Sequence, residues 1–403
     1  MLKNETYFID SCDDVELNIK RENKLEYRIT YDDDKEMKAI VFIIGSYGSN
    51  VDLSFVDFDR QFIAKKFDVV AINVLYHCFG CRINEKDKRY SAQFYFDESD
   101  VERIKNFLNK INPNINDINI GFTKNYFSYL EYTIDMYKEK NFVNKDCKFY
   151  FTCTMLPSNN EYQNYGIIAA IDHINVLKDV YCKFPNFKNL PKVYGGVSYG
   201  GYLSLLISKI APWYVDGVID NSGEAMLILN YIIGRDFDIP DVVYDTKNLK
   251  IGCFLKTYWN ANKESPYCFK NENYEIRTLL NQTHLILQAQ KNKKIIFISY
   301  HNYNDKMASC EFKNNYMKIL EALGYDVSFN LVDEKDIDGK FIKNSSHGSG
   351  IKTKALFNKE LPKMLEKMKN KTFYMKEDSI SYPCKNKVFT FKDKDNKFVL
   401  EII

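Results

Sequence analysis

Hydrophobic and polar positions along this chain follow a repeating order in which short apolar runs precede stretches with helical periodicity. Residues 39–44 and 293–300 are apolar-rich runs of the kind found in strands buried on both faces of a sheet. Residues 309–324 illustrate the helical stretches, because Ser309 is a suitable N-cap and Gly324 a suitable end for a helix with one apolar face. The alternation predicts an α/β fold with a mostly parallel central sheet and helices on both of its faces.

Two polar, aromatic-rich stretches interrupt this order and are predicted to be insertions in a core that spans residues 38–370. They cover about 83–160 and about 224–270. The insertions are lid-like, although the sequence leaves open whether they form a lid, and their aromatic residues fit either a sugar-binding cleft or ordinary lid packing. These residues are Tyr126, Phe127, Tyr129, Tyr132, Tyr137, Tyr231, Tyr258, Trp259 and Tyr267.

Both ends of the chain predict β-hairpins. Residues 1–37 contain a strand pattern at 25–30, followed at 32–35 by acidic residues typical of a turn. Residues 371–403 contain two short strand patterns separated by another polar turn. We therefore expect a small antiparallel element at each end of the α/β core.

The chain has 403 residues, of which 45% are hydrophobic and 27% charged, and its net charge is +2. This length is sufficient for a full hydrophobic core, and the balanced charge predicts no nucleic-acid partner. The N-terminus has no signal-like apolar segment, and no apolar run is long enough to span a membrane. We therefore expect a cytoplasmic protein without a membrane partner, and the sequence leaves its oligomeric state open.

Ten cysteines are scattered along the chain, and Cys78 and Cys81 form the one close pair. A zinc site would need a second pair at suitable spacing, so we predict no metal ion and no other cofactor. Reduced cytosolic thiols are the expected state, with a redox or metal role for this pair as the alternative.

The segment 192–202 contains the pattern Gly196-x-Ser198-x-Gly200. A β-prone run precedes it and an apolar helical run follows it, which is the strand–turn–helix context of a nucleophile elbow. The elbow holds its serine in a strained conformation, so the residues two before and two after must be small. Ser198 is therefore predicted to be a nucleophile, although a glycine-rich turn with an incidental serine would have the same pattern.

Enzymes with this elbow carry an acidic residue and then a histidine later in the chain. His347 lies in a loop of small polar residues before the final long helix, where it could reach the serine, whereas His284 lies in a helical pattern. Asp305 follows the strand at 293–300 and is our predicted acid. Its rivals are Asp220, Asp333, Asp336 and Asp338.

These motifs resemble the α/β-hydrolase superfamily, in particular the catalytic domain of prolyl-oligopeptidase-type and acetyl-esterase-type serine hydrolases. The elbow at 195–203 carries the resemblance, together with His347-Gly348 and the segment 301–305, where Asn302 replaces the family's usual glycine. The peptidases of that clan carry a β-propeller for which this chain is too short. The resemblance thus implies the esterase branch.

The resemblance also implies an oxyanion hole after the strand at 39–44. The turn that follows is similar to the family's His-Gly-x-Gly, with Ile44 in place of the histidine. Because the donors are backbone N–H groups, one is expected from Ser46 or Tyr47 and the other from Tyr199. An ordinary glycine-rich turn is the alternative interpretation.

We therefore expect a serine esterase that acts on a small-molecule ester through an acyl-enzyme. The overall character of the sequence also resembles an uncharacterised bacterial family encoded near flagellin-glycosylation genes, which implies an O-acyl group on a sugar as the substrate. Two alternatives stay open: an acyltransferase with the same triad, and a non-catalytic accessory protein that binds a glycan or a partner on this fold.

Overall fold

The computed structural model describes residues 1–47, 53–84, 86–111, 121–122, 124–373 and 376–403. Its strands are β1 Leu2–Asp10, β2 Lys24–Asp32, β3 Ile40–Ile44, β4 Val70–Leu75, β5 Gln93–Phe96, β6 Gly121–Phe122, β7 Phe149–Leu156, β8 Lys192–Val197, β9 Gly217–Asn221, β10 Val242–Asp245, β11 Leu249–Leu255, β12 Ile296–Asn302, β13 Asp326–Val332, β14 Ser379–Cys384, β15 Lys387–Lys394 and β16 Lys397–Ile402. Its α-helices are α1 Leu53–Phe67, α2 Glu98–Ile111, α3 Lys124–Glu139, α4 Ile167–Lys183, α5 Tyr199–Ile210, α6 Asn230–Ile233, α7 Asn271–Arg277, α8 Gln282–Lys291, α9 Cys310–Ala322 and α10 Thr353–Met368.

These elements form two compact units that are discontinuous in sequence. The first unit contains residues 1–79, 165–227 and 269–403, and the second contains 80–164 and 228–268. The segments of the second unit fall where the strand–helix alternation of the sequence is interrupted. Among the described residues, no helix combines the length and the apolar character needed to cross a lipid bilayer.

The first unit is built on an eight-stranded sheet in the order β1-β2-β4-β3-β8-β9-β12-β13. The pairs β1–β2 and β2–β4 are antiparallel, and all later neighbours in this order are parallel. The prediction of a mostly parallel sheet is therefore confirmed. Parallel strands end at the same edge, so the segments that follow β3, β8, β9 and β12 come together.

Helices cover both faces of this sheet because its central strands are apolar on both sides. Val41 and Ile43 of β3 pack into a core that includes residues of α1 and α10. Phe42 points to the opposite face, where its ring centroid lies 4.6 Å from that of Tyr194 and 6.0 Å from that of His173 in α4. This two-sided burial explains the continuous apolar runs in the sequence.

The two ends of the chain differ in detail from the predicted hairpins. Strands β1 and β2 pair from Leu2 with Asp32 to Asp10 with Lys24, so residues 11–23 connect them. The acidic stretch 32–35 follows β2 and does not form the turn of the hairpin. At the other end, β15 and β16 form the predicted hairpin, and β14 adds a third antiparallel strand.

The second unit has a five-stranded sheet of its own, in the order β10-β11-β7-β5-β6. Its central strands β7 and β11 are parallel, whereas the other neighbours are antiparallel. Phe107 of α2 packs against Phe149 and Phe151 of β7, with ring centroids 4.8 and 5.1 Å apart. This unit is thus a small α/β layer structure with parallel strands at its centre.

Candidate active site

Ser198 occupies the sharp turn between β8 and α5. Its φ of 57° and ψ of −123° are strained for a residue with a side chain. A Cβ atom at Gly196 would lie 2.4 Å from the carbonyl oxygen of Ile44, and one at Gly200 would lie 2.3 Å from the same oxygen. Only glycine fits at both positions, which is the steric reason for the predicted pattern.

The structure brings the three predicted catalytic side chains together. The Oγ atom of Ser198 lies 2.7 Å from Nε2 of His347, and Nδ1 of His347 lies 2.7 Å from Oδ2 of Asp305. Ser198 is half-buried, and Asp305 lies under the imidazole with almost no exposure. The serine is therefore placed to give its proton to the imidazole, with the carboxylate fixing the ring from the other side.

Asp305 is held in place by its own turn. Its Oδ1 atom accepts hydrogen bonds from the N–H groups of Met307 and Ala308 at 2.9 and 3.0 Å. Burial alone would raise the pKa of Asp305, but the hydrogen bonds from His347 and these N–H groups outweigh it, so the pKa is lowered. The carboxylate is thus charged and orients His347 with its Nδ1 proton toward Asp305.

Asp220, a rival for the acid position, has other partners. It is buried and pairs with Lys313 of α9, and its carboxylate accepts hydrogen bonds from Ser299 Oγ at 2.6 Å and from Gly223 N at 2.9 Å. It therefore stabilises the turn after β9 and the sheet beneath the site.

The remaining candidates also have structural roles. The Nε2 atom of His284 lies 3.1 Å from the carbonyl oxygen of Pro383. His301, the third histidine that follows Ser198 in the chain, has its Nε2 atom 2.9 Å from the carbonyl oxygen of Ala308. The other acidic rivals accept hydrogen bonds from N–H groups of their own loop: Asp333, Asp336 and Asp338.

Asn221 and Ser222, at the end of β9, form a clamp on the residue after His347, and the sequence did not predict it. Asn221 Nδ2 donates to the carbonyl of Gly348 at 2.9 Å, the N–H of Gly348 donates to Ser222 Oγ at 3.2 Å, and Ser222 Oγ donates to Asn221 Oδ1 at 3.2 Å. The backbone carbonyl of Asn221 also accepts the N–H of Ser198 at 2.7 Å. One buried residue thus contacts the segments that carry both the serine and the histidine.

Asn302, where the resemblance has glycine, supports the same loop. Its Nδ2 atom lies 3.3 Å from Ser349 Oγ, and its Oδ1 atom accepts the N–H of Asn304 at 2.8 Å. The amide is fully buried, so both of its polar ends are used. The departure from the family pattern is therefore compatible with an intact Ser–His–Asp arrangement.

The predicted oxyanion donors lie beside the serine. Tyr199 is the first residue of α5, where a helix leaves its N–H groups without intrahelical acceptors. Ser46 Oγ donates to the carbonyl of Val197 at 2.9 Å, which ties the segment after β3 to the end of β8. The ring of Tyr47 lies 5.3 Å from that of Tyr199. Residues 48–50 of the predicted turn lie outside the described residues.

Tyr165 and Glu224 add an acidic group and aromatic surface that the sequence did not predict. The hydroxyl of Tyr165 donates to Glu224, and its ring centroid lies 5.4 Å from that of Tyr199 and 6.3 Å from that of Tyr47. Burial raises the pKa of Glu224, although the hydrogen bond from Tyr165 and the nearby His347 oppose that shift. The surroundings of the site therefore include several aromatic rings and the buried carboxyl group of Glu224.

The described residues contain one group of three acidic side chains close enough to share a metal ion. It consists of the consecutive carboxylates 32–34, which bind the N-terminal amine of Met1 instead. Cys78 and Cys81 are both buried and do not belong to that group.

The strand order, the strained serine between β8 and α5 and the hydrogen-bonded Ser–His–Asp chain define the α/β-hydrolase fold, as predicted. The chain belongs to the family described as "Protein of unknown function (DUF2920)", whose model matches residues 5–402.

Solved structures similar to this chain include peptidases and esterases. Pyrococcus horikoshii acylaminoacyl peptidase has 12% identity over 94% of this chain and 43% of its own, with a TM-score of 0.46. Esterase Est22 has 11% identity over 86% of this chain and 74% of its own, with a TM-score of 0.42. The esterase domain from a Rhodothermus marinus protein has 10% identity over 91% of this chain and 98% of its own, with a TM-score of 0.40. The chain spans less than half the length of the peptidase, and no curated protein sequence matches it.

Proposed function

We propose that this protein is a serine hydrolase that cleaves a carboxylic ester. The observation that carries the proposal is the pair of 2.7 Å contacts linking Ser198, His347 and Asp305. A non-catalytic protein on this fold would have no need to keep a strained, half-exposed serine in contact with an imidazole that a buried carboxylate orients.

In this mechanism, Ser198 Oγ attacks the ester carbonyl while its proton passes to Nε2 of His347. The oxyanion accepts hydrogen bonds from the N–H groups of Tyr199 and of Ser46 or Tyr47. The intermediate collapses, and His347 gives the proton to the departing alcohol. Water, activated by His347, then cleaves the acyl-enzyme, releases the acid and restores the serine.

The substrate in this proposal is a small-molecule ester, with an O-acyl group on a sugar as its particular form. That form follows from the resemblance to proteins of flagellin-glycosylation loci. The reaction takes place in the cytoplasm, where the ten cysteines of the chain would stay reduced.

The test is intact-mass measurement after incubation with a fluorophosphonate, which reacts with activated serines. We expect one adduct on the wild type, no adduct on Ser198→Ala, and a normal adduct on Ser379→Ala, which removes an exposed serine. A folded wild type that takes up neither this probe nor the smaller phenylmethylsulfonyl fluoride would refute the proposal.

Product analysis then distinguishes the reactions that an activated serine permits. An acylated pyranoside should release free acid, whereas the amide of the same acid should react far more slowly. Formation of a new ester when an alcohol or sugar acceptor is added would instead identify acyl transfer.

A further inference from the structure

The second unit contains a cavity of about 520 Å³. It lies at the carboxyl ends of the parallel strands β7 and β11, where Thr154 and Leu156 of one strand and Phe254 and Leu255 of the other line it. Ligands of open α/β sheets bind at this end of parallel strands, and the volume lies within the range of small-molecule sites. All of the residues that line the cavity belong to the second unit.

Arg235 is fixed in the wall of this cavity. Its guanidinium group stacks over Phe254, 4.6 Å from the ring centroid, and donates to Thr154 Oγ1 at 2.7 Å and to Asp100 Oδ1 at 3.1 Å. It also lies 3.3 Å from a carboxylate oxygen of Asp97. With two carboxylates around it, this cation is already neutralised and offers little to an anionic ligand.

The other charges of the cavity balance one another. Asp97, Asp236 and Asp241 line it together with two cations, Arg235 and Lys256. The three carboxylates disfavour a phosphate or a carboxylate as the ligand, and the ammonium group of Lys256 beside them reduces the attraction for an organic amine. An uncharged polar ligand is the class that this mixture accepts best.

Aromatic rings and amides complete the lining. Tyr95, Tyr231 and Tyr258 are each partly exposed. Tyr258 is held by its neighbours, since its ring centroid lies 4.8 Å from that of Tyr162, 5.8 Å from that of Tyr267 and 5.4 Å from Nζ of Lys256. Rings held in this way present flat apolar faces to a ligand. Three amide side chains also line the cavity, namely Asn160, Asn230 and Asn260, and the amide of Asn260 is itself hydrogen-bonded to Ser265 and Asn262.

We propose that this cavity is a binding site for an uncharged carbohydrate. The C–H face of a pyranose packs against the tyrosine rings, and its hydroxyls bond to the amides and carboxylates. Tyr231 and Tyr258, which the sequence singled out for a sugar-binding cleft, both line the cavity. The site does not involve Ser198, so it would stand even if the proposed esterase activity failed.

The test is saturation-transfer NMR and calorimetric titration of the full-length Ser198→Ala protein. The probes are the neutral methyl pyranosides of glucose, galactose and N-acetylglucosamine, with inorganic phosphate and choline as an anion and a cation. We expect saturable binding of at least one pyranoside, weakened roughly tenfold in Tyr258→Ala and in Tyr231→Ala. Tyr132→Ala is the matched control, because it removes an exposed tyrosine on α3 outside the cavity.

Several outcomes would overturn the inference. One is the absence of saturable binding by any neutral pyranoside up to its solubility limit. Another is binding that Tyr132→Ala weakens as much as Tyr258→Ala does, and a third is saturable binding of phosphate or choline in place of the sugars. Thermal melting of each variant shows that it is folded, so that lost binding is assigned to the cavity.

Discussion

The clamp at the end of β9 predicts that Asn221→Ala has a large effect on stability and on the activation of Ser198, although Asn221 takes no part in the proposed reaction. The substitution removes the hydrogen bond from Nδ2 to the carbonyl of Gly348 and the acceptor for the hydroxyl of Ser222. It leaves the backbone carbonyl of residue 221 in place, so the 2.7 Å hydrogen bond from the N–H of Ser198 survives. We therefore expect the substitution to displace the loop of His347 and to leave the turn that carries Ser198 unchanged.

The magnitude follows from burial. Two polar groups, the carbonyl of Gly348 and the hydroxyl of Ser222, would be left in a site with no exposed surface. Each orphaned group costs about 1–3 kcal/mol, so the free energy of unfolding should fall by about 2–6 kcal/mol. If the loop shifts His347 by about 1 Å from Ser198, activation of the serine should fall roughly a hundredfold.

The assay measures both quantities on the same protein. Urea unfolding gives the loss of stability, and the rate of fluorophosphonate labelling, followed by intact mass well below the melting temperature, reports activation of Ser198. Asn330→Ala is the matched control, because this β13 amide donates to the carbonyl of Ser299 at 3.2 Å and does not contact the histidine loop. It should lose about 1 kcal/mol and keep its labelling rate.

An Asn221→Ala protein that is folded and labels within about threefold of the wild type would refute the positioning argument. So would a control variant that loses labelling to the same extent. Asn221→Asp should destabilise the protein at least as much as Asn221→Ala does, because it would place a buried carboxylate oxygen against the carbonyl of Gly348.

Gly200→Ala should destabilise the protein by about 3 kcal/mol or more, because its Cβ would lie 2.3 Å from the carbonyl oxygen of Ile44. Gly339→Ala, in open surroundings at a φ of 68°, should cost only about 1–2 kcal/mol in urea unfolding, and equal losses would contradict the steric argument. Burial lowers the pKa of His173 to about 4, although its hydrogen bond to Ala169 opposes the shift. As the pH falls, this imidazole is therefore protonated in the unfolded chain at a higher pH than in the folded protein. The free energy of unfolding should fall by up to about 3 kcal/mol between pH 6.5 and 4. Urea unfolding of His173→Gln should show a shallower fall over that range, and an unchanged slope would count against this assignment.

The sequence could predict the contacts of Ser198, His347 and Asp305 because each of these residues carries a local signal. Ser198 lies between glycines in a strand–turn–helix pattern, Asp305 follows a buried strand, and His347 lies in a loop of small polar residues. Chain order then connected the three. The clamp of Asn221 on Gly348 has no such signal, because it depends on two segments that only the folded sheet brings together.

The chain ends show the same limit. The acidic stretch after β2 has the composition of a turn, but its carboxylates contact the N-terminal amine, with Met1 N at 2.8 Å from Asp32. Strand β14 went unpredicted because it contains Pro383, a residue that argues against a strand. In the structure, every second residue of this strand is buried: Ile380, Tyr382 and Cys384. Local composition therefore identified the ends as β structure but did not determine which residues pair.

The pairing of β7 with β11 has a consequence for biosynthesis. Leu249 pairs with Phe149 and Leu255 with Met155, so β7 leaves the ribosome long before its parallel neighbour exists. Until then, an apolar strand edge in the middle of the second unit is open to pairing with other chains. A chain truncated anywhere between residues 165 and 248 should therefore aggregate through β7. Once β11 has been synthesised, it can pair with β7 and cover this edge, which protects the nascent chain from aggregation.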